Sequence, residues 1–476
     1  MPDTISIIPQ KPPELERRLR EQARSPISDA TRAPTFAIYT LGCKVNQSDS
    51  HQIARLLMGR GFRRVEFRQS ADLYVIDTCT VTAEADKKSR KIAARAHRNN
   101  PDALIAITGC AVASDAAQFR RVAPDPLLLD NSRKLELPEL AVEKLKQRHS
   151  ATKQYSLLRE QTASEPMPVA TRERAVLKVQ DGCNHRCAFC IIPSVRGASQ
   201  TKSVEAALHE ARLLVSEGAK EITVTGVSLG DYRNAEYEYG VRNAELKNRN
   251  AKLCALLRGV AEIEGLARVR VSSLDPADVD EEFLQVVANH PKICPHIHLA
   301  LQGGSATMLR QMRRRYTPEL FLKWARRWSE IRPDGALTTD IIVGFPGESE
   351  DDWQGALNIA RQAKFSAIHV FPYSPRPGTA ASKFDDELFI APEIQKRRVA
   401  ELLSLANQLS TEYARQFIGQ VEPVLIERVC DGRGDGMIPH YVKARVEDLP
   451  DTTRAGDMVS VRFSAWKNGE LVGRAI

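Results

Sequence analysis

The sequence lacks any long apolar run. No stretch approaches the ~18 consecutive apolar residues that a membrane-spanning helix needs, and residues 1–34 contain no hydrophobic core of a secretory signal. The acidic residues of that segment also argue against a transit peptide. We therefore expect a cytoplasmic protein that does not associate with a membrane.

Cysteine is scarce, and the spacing of the nine cysteines does not suggest a disulfide framework. Such a pattern is typical of a reducing compartment. We expect six of the thiols to bind iron and the other three to pack as small hydrophobes. The chain has 476 residues, 42% of them hydrophobic and 27% charged, which provides core material for two to four domains. The net charge is +8, and residues 36–170 hold most of the excess, with 21 basic and 15 acidic residues. This balance favours a polyanionic partner.

Three cysteines stand close together in the centre of the chain. Cys183, Cys187 and Cys190 form a C-x₃-C-x₂-C set directly after a predicted strand, residues 175–179. Three thiolates can hold three irons of a [4Fe–4S] cluster, so the fourth iron is left open for catalysis. The alternatives are a zinc site, for which only His185 offers a fourth local ligand, and three unrelated buried thiols.

A second set of cysteines follows three predicted strands near the amino terminus. The strands are residues 36–40, 73–77 and 103–108, and Cys43, Cys79 and Cys110 follow them in that order. Predicted helices at 48–59 and 82–98 make the pattern βαβ, which implies a parallel sheet whose carboxyl strand ends share one edge. We predict a second three-thiolate site there; taken singly, each cysteine is more typical of a buried core thiol.

Six strand candidates, of which 175–179 is the first, alternate with helical segments, which predicts a partial (β/α)₆ barrel. Polar or glycine-rich loops follow these strands and, unless they are unrelated turns, form a nucleoside-binding rim. The candidate cofactor-binding residues are Phe189, Gly226, Ser273, Gln302, Asp340 and Gly344. Asp340 either faces a ligand or is a structural ion-pair partner.

The remaining segments complete the domain plan. We expect an α/β chain with a disordered extension at 1–34, a parallel-sheet domain at 35–150, a linker at 151–170 and the barrel at 171–416. Alternating strands separated by turns, one of them the glycine-rich segment 431–436, predict a small antiparallel barrel of the oligonucleotide-binding sort at 417–476.

Several motifs resemble those of the methylthiotransferase family of radical S-adenosylmethionine enzymes. They are Leu41-Gly-Cys-Lys-Val-Asn-Gln47, Asp77-Thr-Cys-Thr-Val-Thr82, Thr108-Gly-Cys110, the run from Cys183 to Gly197, and Gly344-Phe-Pro-Gly-Glu348. The terminal barrel resembles the family's RNA-binding TRAM domain. Gly-Cys-Lys-Val-Asn-Gln47 is similar to the branch that acts on threonylcarbamoyladenosine in tRNA. One departure is Gly303, where the family commonly has serine.

The resemblance implies two [4Fe–4S] clusters, one on each cysteine set, and S-adenosylmethionine bound at the cluster of Cys183, Cys187 and Cys190. It implies insertion of a methylthio group at C2 of the modified adenosine beside the anticodon, with an electron donor such as a flavodoxin or ferredoxin and a sulfur donor. Isopentenyladenosine tRNA, a ribosomal protein aspartate and a non-catalytic RNA-binding iron–sulfur sensor are the alternatives. We predict contacts with the tRNA anticodon stem-loop by Lys87, Lys88, Arg90, Lys91, Arg95, Arg313, Arg314 and Arg315.

Overall fold

The structure is a computed structural model that describes residues 33–148, 173–233 and 249–476. The predicted linker at 151–170 and nearly all of the predicted extension at 1–34 lie outside the described residues. Within the described part of the chain, no helix is long and apolar enough to cross a membrane.

The first domain is a five-stranded parallel sheet with strand order β2-β1-β3-β4-β5. Its strands are β1 Thr35–Thr40, β2 Arg63–Arg64, β3 Leu73–Thr78, β4 Leu104–Gly109 and β5 Leu127–Leu129. Its helices span Lys44–Gly59, Ala83–Asn99, Cys110–Ser114 and Leu137–Arg148. The short edge strands β2 and β5 extend the three strands that the sequence predicts.

Helices cover both faces of this sheet because its central strands are apolar on both sides. Phe36, Leu73 and Val75 pack on one face with the helices that contain Ile53 and Leu145. The alternate strand residues pack against the helix Ala83–Asn99 on the other face. All of β3 and β4 is buried, as expected for parallel strands enclosed by helices.

The second domain is a partial barrel built from parallel strands. The strands are β6 Arg174–Lys178, β9 Glu221–Thr225, β10 Arg268–Val271, β11 Ser273–Leu274, β12 His296–Leu299, β13 Ala336–Val343 and β14 Ala367–Pro372. A two-stranded ribbon, β7 Gln180–Asp181 and β8 Gln200–Thr201, brackets the central cysteines. The helices are Ile192–Arg196, Val204–Ser216, Ala251–Ala261, Glu281–Asn289, Ala306–Gln311, Pro318–Ile331, Glu350–Ala363 and Pro392–Arg415.

Strand alternation divides this barrel into an apolar outer layer and a polar interior. Ile222, Val269 and Ile297 pack outward in the main hydrophobic core. Their neighbours on the opposite strand face are polar and include Thr223, Arg270 and His298. A polar interior is typical of a barrel that binds a ligand rather than one filled by a core.

The carboxyl-terminal domain is a closed barrel with strand order β15-β16-β17-β19-β18. Its strands are β15 Val421–Cys430, β16 Arg433–Met437, β17 Lys443–Glu447, β18 Met458–Lys467 and β19 Glu470–Ala475. The pair β17–β19 is parallel and the other pairs are antiparallel.

One prediction in this domain is wrong, because the glycine-rich segment at 431–436 is mostly strand β16 rather than a turn. A Cβ atom on Gly436 would lie 2.2 Å from the Leu425 carbonyl oxygen, and one on Gly434 would lie 2.5 Å from Leu449. The glycines therefore permit close strand packing inside a small barrel.

This terminal barrel closes the amino-terminal end of the central barrel. Arg268 and Arg270 donate from the barrel strands to the carbonyl groups of Met437 and Pro439, at 2.9 Å in both cases. Tyr441 stacks on His296 with ring centroids 4.5 Å apart. The opposite end, where the cysteine loop follows β6, is free of this contact.

Candidate active site

The upstream cysteines stand at the carboxyl ends of three neighbouring strands. Cys43 precedes the helix Lys44–Gly59, Cys79 follows β3, and Cys110 begins the helix after β4. Since β1, β3 and β4 are adjacent and parallel, the sheet brings the three thiols to one edge, as the sequence predicts.

Two glycines make this edge possible. Gly42 has φ +95°, and a Cβ there would lie 2.8 Å from Cys79 Cβ and 3.0 Å from its sulfur. Gly109 has φ +102°, and a Cβ there would lie 2.5 Å from the Thr78 carbonyl oxygen. Both positions need the left-handed backbone that glycine adopts without strain.

The central cysteines lie in the loop between β7 and the helix Ile192–Arg196. The Cys183 amide donates to the Gly197 carbonyl at 3.1 Å, and the Cys190 amide donates to the Cys187 carbonyl at 3.1 Å. His185, the possible fourth zinc ligand, directs Nε2 to Ser228 at 3.2 Å and toward Asp231 at 3.6 Å. The loop therefore presents three sulfurs, while the His185 Nε2 is engaged elsewhere.

The spacing of the sulfurs fits a polynuclear cluster better than a single ion. Among the described residues, the only group of three ligand atoms all within 4.8 Å of one another is His298, Asp340 and His369. Tetrahedral zinc with bonds of ~2.3 Å would hold its sulfurs ~3.8 Å apart. Neither cysteine set is that compact, so neither has the spacing of ligands around a single zinc ion.

Burial keeps several of these thiols protonated in the metal-free protein. It raises the pKa of Cys79 and of Cys183 to about 11 and that of Cys190 to about 12. Burial also raises the pKa of Cys110. Iron binding must therefore displace protons from these sites.

Polar donors surround both sets of sulfurs. Asn131 Nδ2 lies 3.5 Å from the Cys110 sulfur, and Arg314 Nη1 lies 3.1 Å from the Cys187 sulfur. At Cys43 the direction is reversed, because the thiol donates to Asn46 Oδ1 at 3.9 Å, and Arg196 donates to that same oxygen. Donors such as Asn131 and Arg314 orient thiolate ligands.

The two cysteine sets face each other across the domain boundary. Cys110 packs against Ile191 and Val195, which stand one and five residues after Cys190 in the chain. Asn131 also donates to the Val195 carbonyl at 2.7 Å. The edge of the sheet and the mouth of the barrel therefore form one site.

A buried ion network holds this boundary. Asp49 of the first domain pairs with Lys134 at 2.8 Å and with Lys178 of the barrel. Asp181 pairs with Lys178 at 2.7 Å and with Arg196 at 2.8 Å. Burial opposes charge on Asp49, but Lys134 and Lys178 hold its pKa well below the usual range.

Sequence reasoning missed these network residues. Arg196 and Asn46 lie within the motifs quoted above, but the motifs alone did not assign a role to either residue. Lys134 carried no signal, because its partner Asp49 is far away in the chain and only the sheet brings the two together.

The predicted cofactor-binding residues line the same end of the barrel in different ways. A Cβ atom on Gly226 would lie 2.7 Å from Gln180 Oε1. Gln302 has φ +63°; its amide donates to the Asp340 carbonyl, and its carbonyl accepts from the Ile342 amide. Phe189 packs edge-on against Phe345, with centroids 6.5 Å apart.

Two other predicted cofactor residues differ in exposure. Ser273 is exposed on β11. The Gly344 amide donates to Glu348 at 2.9 Å inside its own loop.

Gly303 fits its surroundings without the family's hydroxyl. A Cβ at this position would lie 3.2 Å from the Met312 sulfur and 3.3 Å from Met308 Cβ. The two methionines thus occupy the space beside Gly303, and a serine would require Met312 to shift.

Asp340 faces the barrel interior beside two histidines. Its Oδ2 lies 3.3 Å from His298 Nε2, and the ring of His298 stacks on His369 at 5.7 Å. The three ligand atoms could hold one metal ion by spacing alone. Burial lowers the pKa of His369, and the charge of Asp340 opposes that shift.

The residues predicted to contact RNA fall into two groups. Lys87, Lys88, Arg90 and Lys91 are exposed on the helix Ala83–Asn99, and Arg95 is half-buried. Arg313 is exposed. Arg314 donates to Asp275 at 2.7 Å and to Cys187, and Arg315 pairs with Asp278 at 2.5 Å. The structure thus places Arg314 and Arg315 against acidic groups and, for Arg314, against the cysteine site.

Three cysteines lie outside the two sets. Cys254 and Cys294 are buried, as expected for thiols that pack as small hydrophobes. Cys430 is exposed at the end of β15 beside Asp431, so the same expectation is wrong for Cys430.

Comparisons with known proteins cover most of the chain. Residues 177–360 match the radical SAM superfamily and residues 35–129 match the uncharacterized protein family UPF0004. The threonylcarbamoyladenosine tRNA methylthiotransferase MtaB of Bacillus subtilis is 36% identical over 397 residues, 83% of this chain and 85% of that protein. The MtaB of Aquifex aeolicus is 36% identical over 387 residues, 81% of this chain and 90% of that protein.

A second group of tRNA-modifying enzymes and one solved structure are also similar to this chain. The tRNA-2-methylthio-N(6)-dimethylallyladenosine synthase of Mycobacterium ulcerans is 35% identical over 452 residues, 91% of this chain and 82% of that protein. The radical S-adenosylmethionine methyltransferase TsrM of Kitasatospora setae has a TM-score of 0.52 over 79% of this chain and 89% of that structure, at 13% identity. This last likeness is one of fold.

Proposed function

The chain belongs to the radical S-adenosylmethionine tRNA methylthiotransferases, and from this premise we propose that it inserts a methylthio group at C2 of N6-threonylcarbamoyladenosine beside the anticodon of tRNA. Two of the relatives reported above carry that substrate in their names. The resemblance of the segment from Leu41 to Gln47 supports the same branch.

The observation that carries the proposal is the joining of two three-cysteine sets in one site. Cys43, Cys79 and Cys110 meet at the sheet edge, and Cys110 packs against the residues that follow Cys190. An enzyme that must both activate a C–H bond and deliver sulfur to the same carbon needs two such centres side by side.

Each cysteine set holds one [4Fe–4S] cluster, and Cys183, Cys187 and Cys190 hold the one that binds S-adenosylmethionine. When bound, this cofactor pair supplies the radical chemistry that an unactivated adenine C2–H bond requires. Arg314 donates to the Cys187 sulfur, and Asn131 donates to the Cys110 sulfur. These donors fix the orientation of the two sulfurs.

The barrel supplies the remaining binding groups. Phe189, Gly226, Ser273, Gln302, Asp340 and Gly344 are the proposed contacts with S-adenosylmethionine or substrate. Gln180 fixes the loop after β9 for such a contact. It packs closely against Gly226, and its Oε1 accepts from the Ser228 amide at 2.7 Å.

The partners follow from the reaction. tRNA binds through the exposed basic face of the helix Ala83–Asn99, with phosphate contacts that make binding salt-dependent. A low-potential electron donor such as a flavodoxin or ferredoxin and a separate sulfur donor complete the proposal. We place the reaction in the cytoplasm, with tRNA.

A second candidate is the same chemistry on dimethylallyladenosine tRNA. The observation that favours it is the 35% identity to the Mycobacterium ulcerans enzyme over 91% of this chain. The two candidates differ only in the group on N6, so the substrate decides between them.

Mass spectrometry of tRNA nucleosides tests the proposal. We expect the anaerobically reconstituted enzyme, given reductant, sulfide and S-adenosylmethionine, to convert threonylcarbamoyladenosine in tRNA into its 2-methylthio derivative. Dimethylallyladenosine tRNA is the matched control and should remain unchanged. Conversion of the control alone would establish the second candidate instead.

A further inference from the structure

A cavity of about 720 Å³ opens where the three domains meet. Lys44 of the first domain, Arg174, Thr223 and Arg270 of the central barrel, and Met437 and Tyr441 of the terminal barrel line it. Its size is in the range of small-molecule pockets. Lys44 directly follows Cys43, so the cavity begins one residue from the upstream cysteine set.

Among the described residues, Lys44 differs from Arg174 and Arg270, the other cations of this cavity that are not exposed, in having no partner. Arg174 pairs with Glu427 at 3.1 Å, and Arg270 donates to Glu221 at 2.9 Å and to the Pro439 carbonyl. Within the described residues, no salt bridge or hydrogen bond engages the Lys44 ammonium, although this residue is half-buried.

The two carboxylates whose charges act on Lys44, Glu221 and Asp340, are already engaged. Glu221 accepts from Arg268 at 2.6 Å as well as from Arg270, and Asp340 lies 3.3 Å from His298. A partly desolvated ammonium without a counter-ion is costly. A ligand carboxylate would remove this cost by a charge-assisted hydrogen bond.

We propose that Lys44 binds the threonine carboxylate of the threonylcarbamoyl group and so selects this substrate, an inference that rests on the proposed function. In adenine, C2 and N6 lie on the same edge of the ring, so the N6 substituent stays close to the atom that receives sulfur. The position of Lys44 next to Cys43 fits this geometry. Thr223, in the same cavity, can serve the polar substituent as a hydrogen-bonding group.

The same contact would discriminate against a hydrocarbon substituent. A dimethylallyl group offers no acceptor and would leave the Lys44 ammonium unpaired in a desolvated site. Sites built to pair a polar group reject an analogue that lacks it far more strongly than apolar sites reject a change of size.

Binding measurements with matched RNAs test this inference. The holoenzyme is titrated with an anticodon stem-loop that carries threonylcarbamoyladenosine or its threonine carboxamide, and affinity is read by fluorescence anisotropy. Hydrogen bonds to charged groups contribute ~1.5–3 kcal/mol, so we expect the carboxylate to bind about tenfold to a hundredfold tighter than the carboxamide. In Lys44→Met the ratio should fall to about one, and Lys44→Arg should restore part of it.

Lys443→Met is the matched control, because Lys443 lines the same cavity but is exposed on the terminal barrel. This variant should keep the wild-type affinity ratio even if it lowers the affinity for both RNAs equally. A wild-type ratio near one, or an unchanged ratio in Lys44→Met, would overturn the inference. The wild-type ratio is measured without any variant, so a ratio near one would overturn the inference even if Lys44→Met does not fold.

The failure of the proposed function is a separate outcome. In that case the wild-type enzyme forms no methylthio product from threonylcarbamoyladenosine tRNA. If the product forms equally well from the carboxylate and the carboxamide, only the assignment of Lys44 is refuted.

Discussion

At the scale of single residues, the site depends on donors that point at sulfur. Arg314 is largely buried, and it joins the Cys187 sulfur to Asp275. Its neighbour Arg313 is exposed. Arg314 therefore has a structural role in the cysteine site, whereas Arg313 lies on the surface.

Replacing Arg314 should weaken the cluster site that it supports. We expect Arg314→Gln to lower the affinity for iron at the central cysteines by about tenfold to a hundredfold, as is usual for groups that orient metal ligands. Iron per chain after reconstitution at limiting iron measures this. Arg313→Gln is the control and should load like the wild type; equal losses in the two variants would contradict this role of Arg314.

The sequence patterns predict the six cysteines as ligands but do not predict the residues that contact them. The cysteines follow strands, and chain direction alone brings parallel strand ends together. Arg196, Lys134 and Arg314 act on partners that are distant in the chain, so no local pattern reveals their contacts. Arg314 was instead grouped with Arg313 and Arg315 because the three basic residues are consecutive.

At the scale of elements, the helix Ala83–Asn99 separates its two faces clearly. Ser89, Ile92, Ala93 and Ala96 are buried against the sheet, while the basic residues face solvent. Thr82 caps the helix by accepting from the Ala85 amide at 3.2 Å. The cap and the buried stripe hold the basic face in a fixed position after Cys79.

Reversing charge on this face should weaken tRNA binding. We expect the triple variant Lys87→Glu, Lys88→Glu, Lys91→Glu to lower affinity by roughly tenfold or more at physiological salt and to reduce the salt dependence. Filter binding at several salt concentrations measures both effects.

Two controls accompany this experiment. A triple reversal at Lys323, Arg326 and Arg361, which are exposed on other helices, makes the same change in net charge. It should have a much smaller effect, and so should Arg433→Glu in the terminal barrel. Equal losses would mean that net charge, rather than this helix, attracts the RNA.

Periodicity was sufficient to predict most elements of the chain. The predicted strand at 73–77 and helix at 82–98 match Leu73–Thr78 and Ala83–Asn99 to within one residue at each end. Strand β16 was missed because its glycines signal a turn when the tight packing of the barrel is not known.

At the scale of the whole molecule, Glu221 links the central and terminal barrels. This buried carboxylate accepts from Arg268 and Arg270, which also donate to carbonyl groups of the terminal barrel. Burial alone would raise the pKa of Glu221, but Arg270 and Arg268 lower it from 4.5 to about 2. The pairing therefore contributes to the stability of both domains.

This pairing gives stability a defined dependence on pH. Because the pKa of Glu221 is lower in the folded state, its contribution is present above pH 4.5 and is lost as the pH falls toward 2. Glu221→Gln should remove that part of the acid dependence and, by leaving two buried arginines short of a partner, cost ~3–5 kcal/mol at neutral pH. Denaturant unfolding from pH 3 to pH 7 measures both effects; a wild-type slope in the variant would contradict the assignment.

Triple substitution of each cysteine set tests the division of labour between the two sites most directly. The measurement is mass spectrometry of 5′-deoxyadenosine and of the methylthio nucleoside in one anaerobic reaction. Alanine at Cys183, Cys187 and Cys190 should abolish both products. Alanine at Cys43, Cys79 and Cys110 should abolish the methylthio nucleoside while 5′-deoxyadenosine still forms. Methylthio nucleoside from either variant would contradict the account.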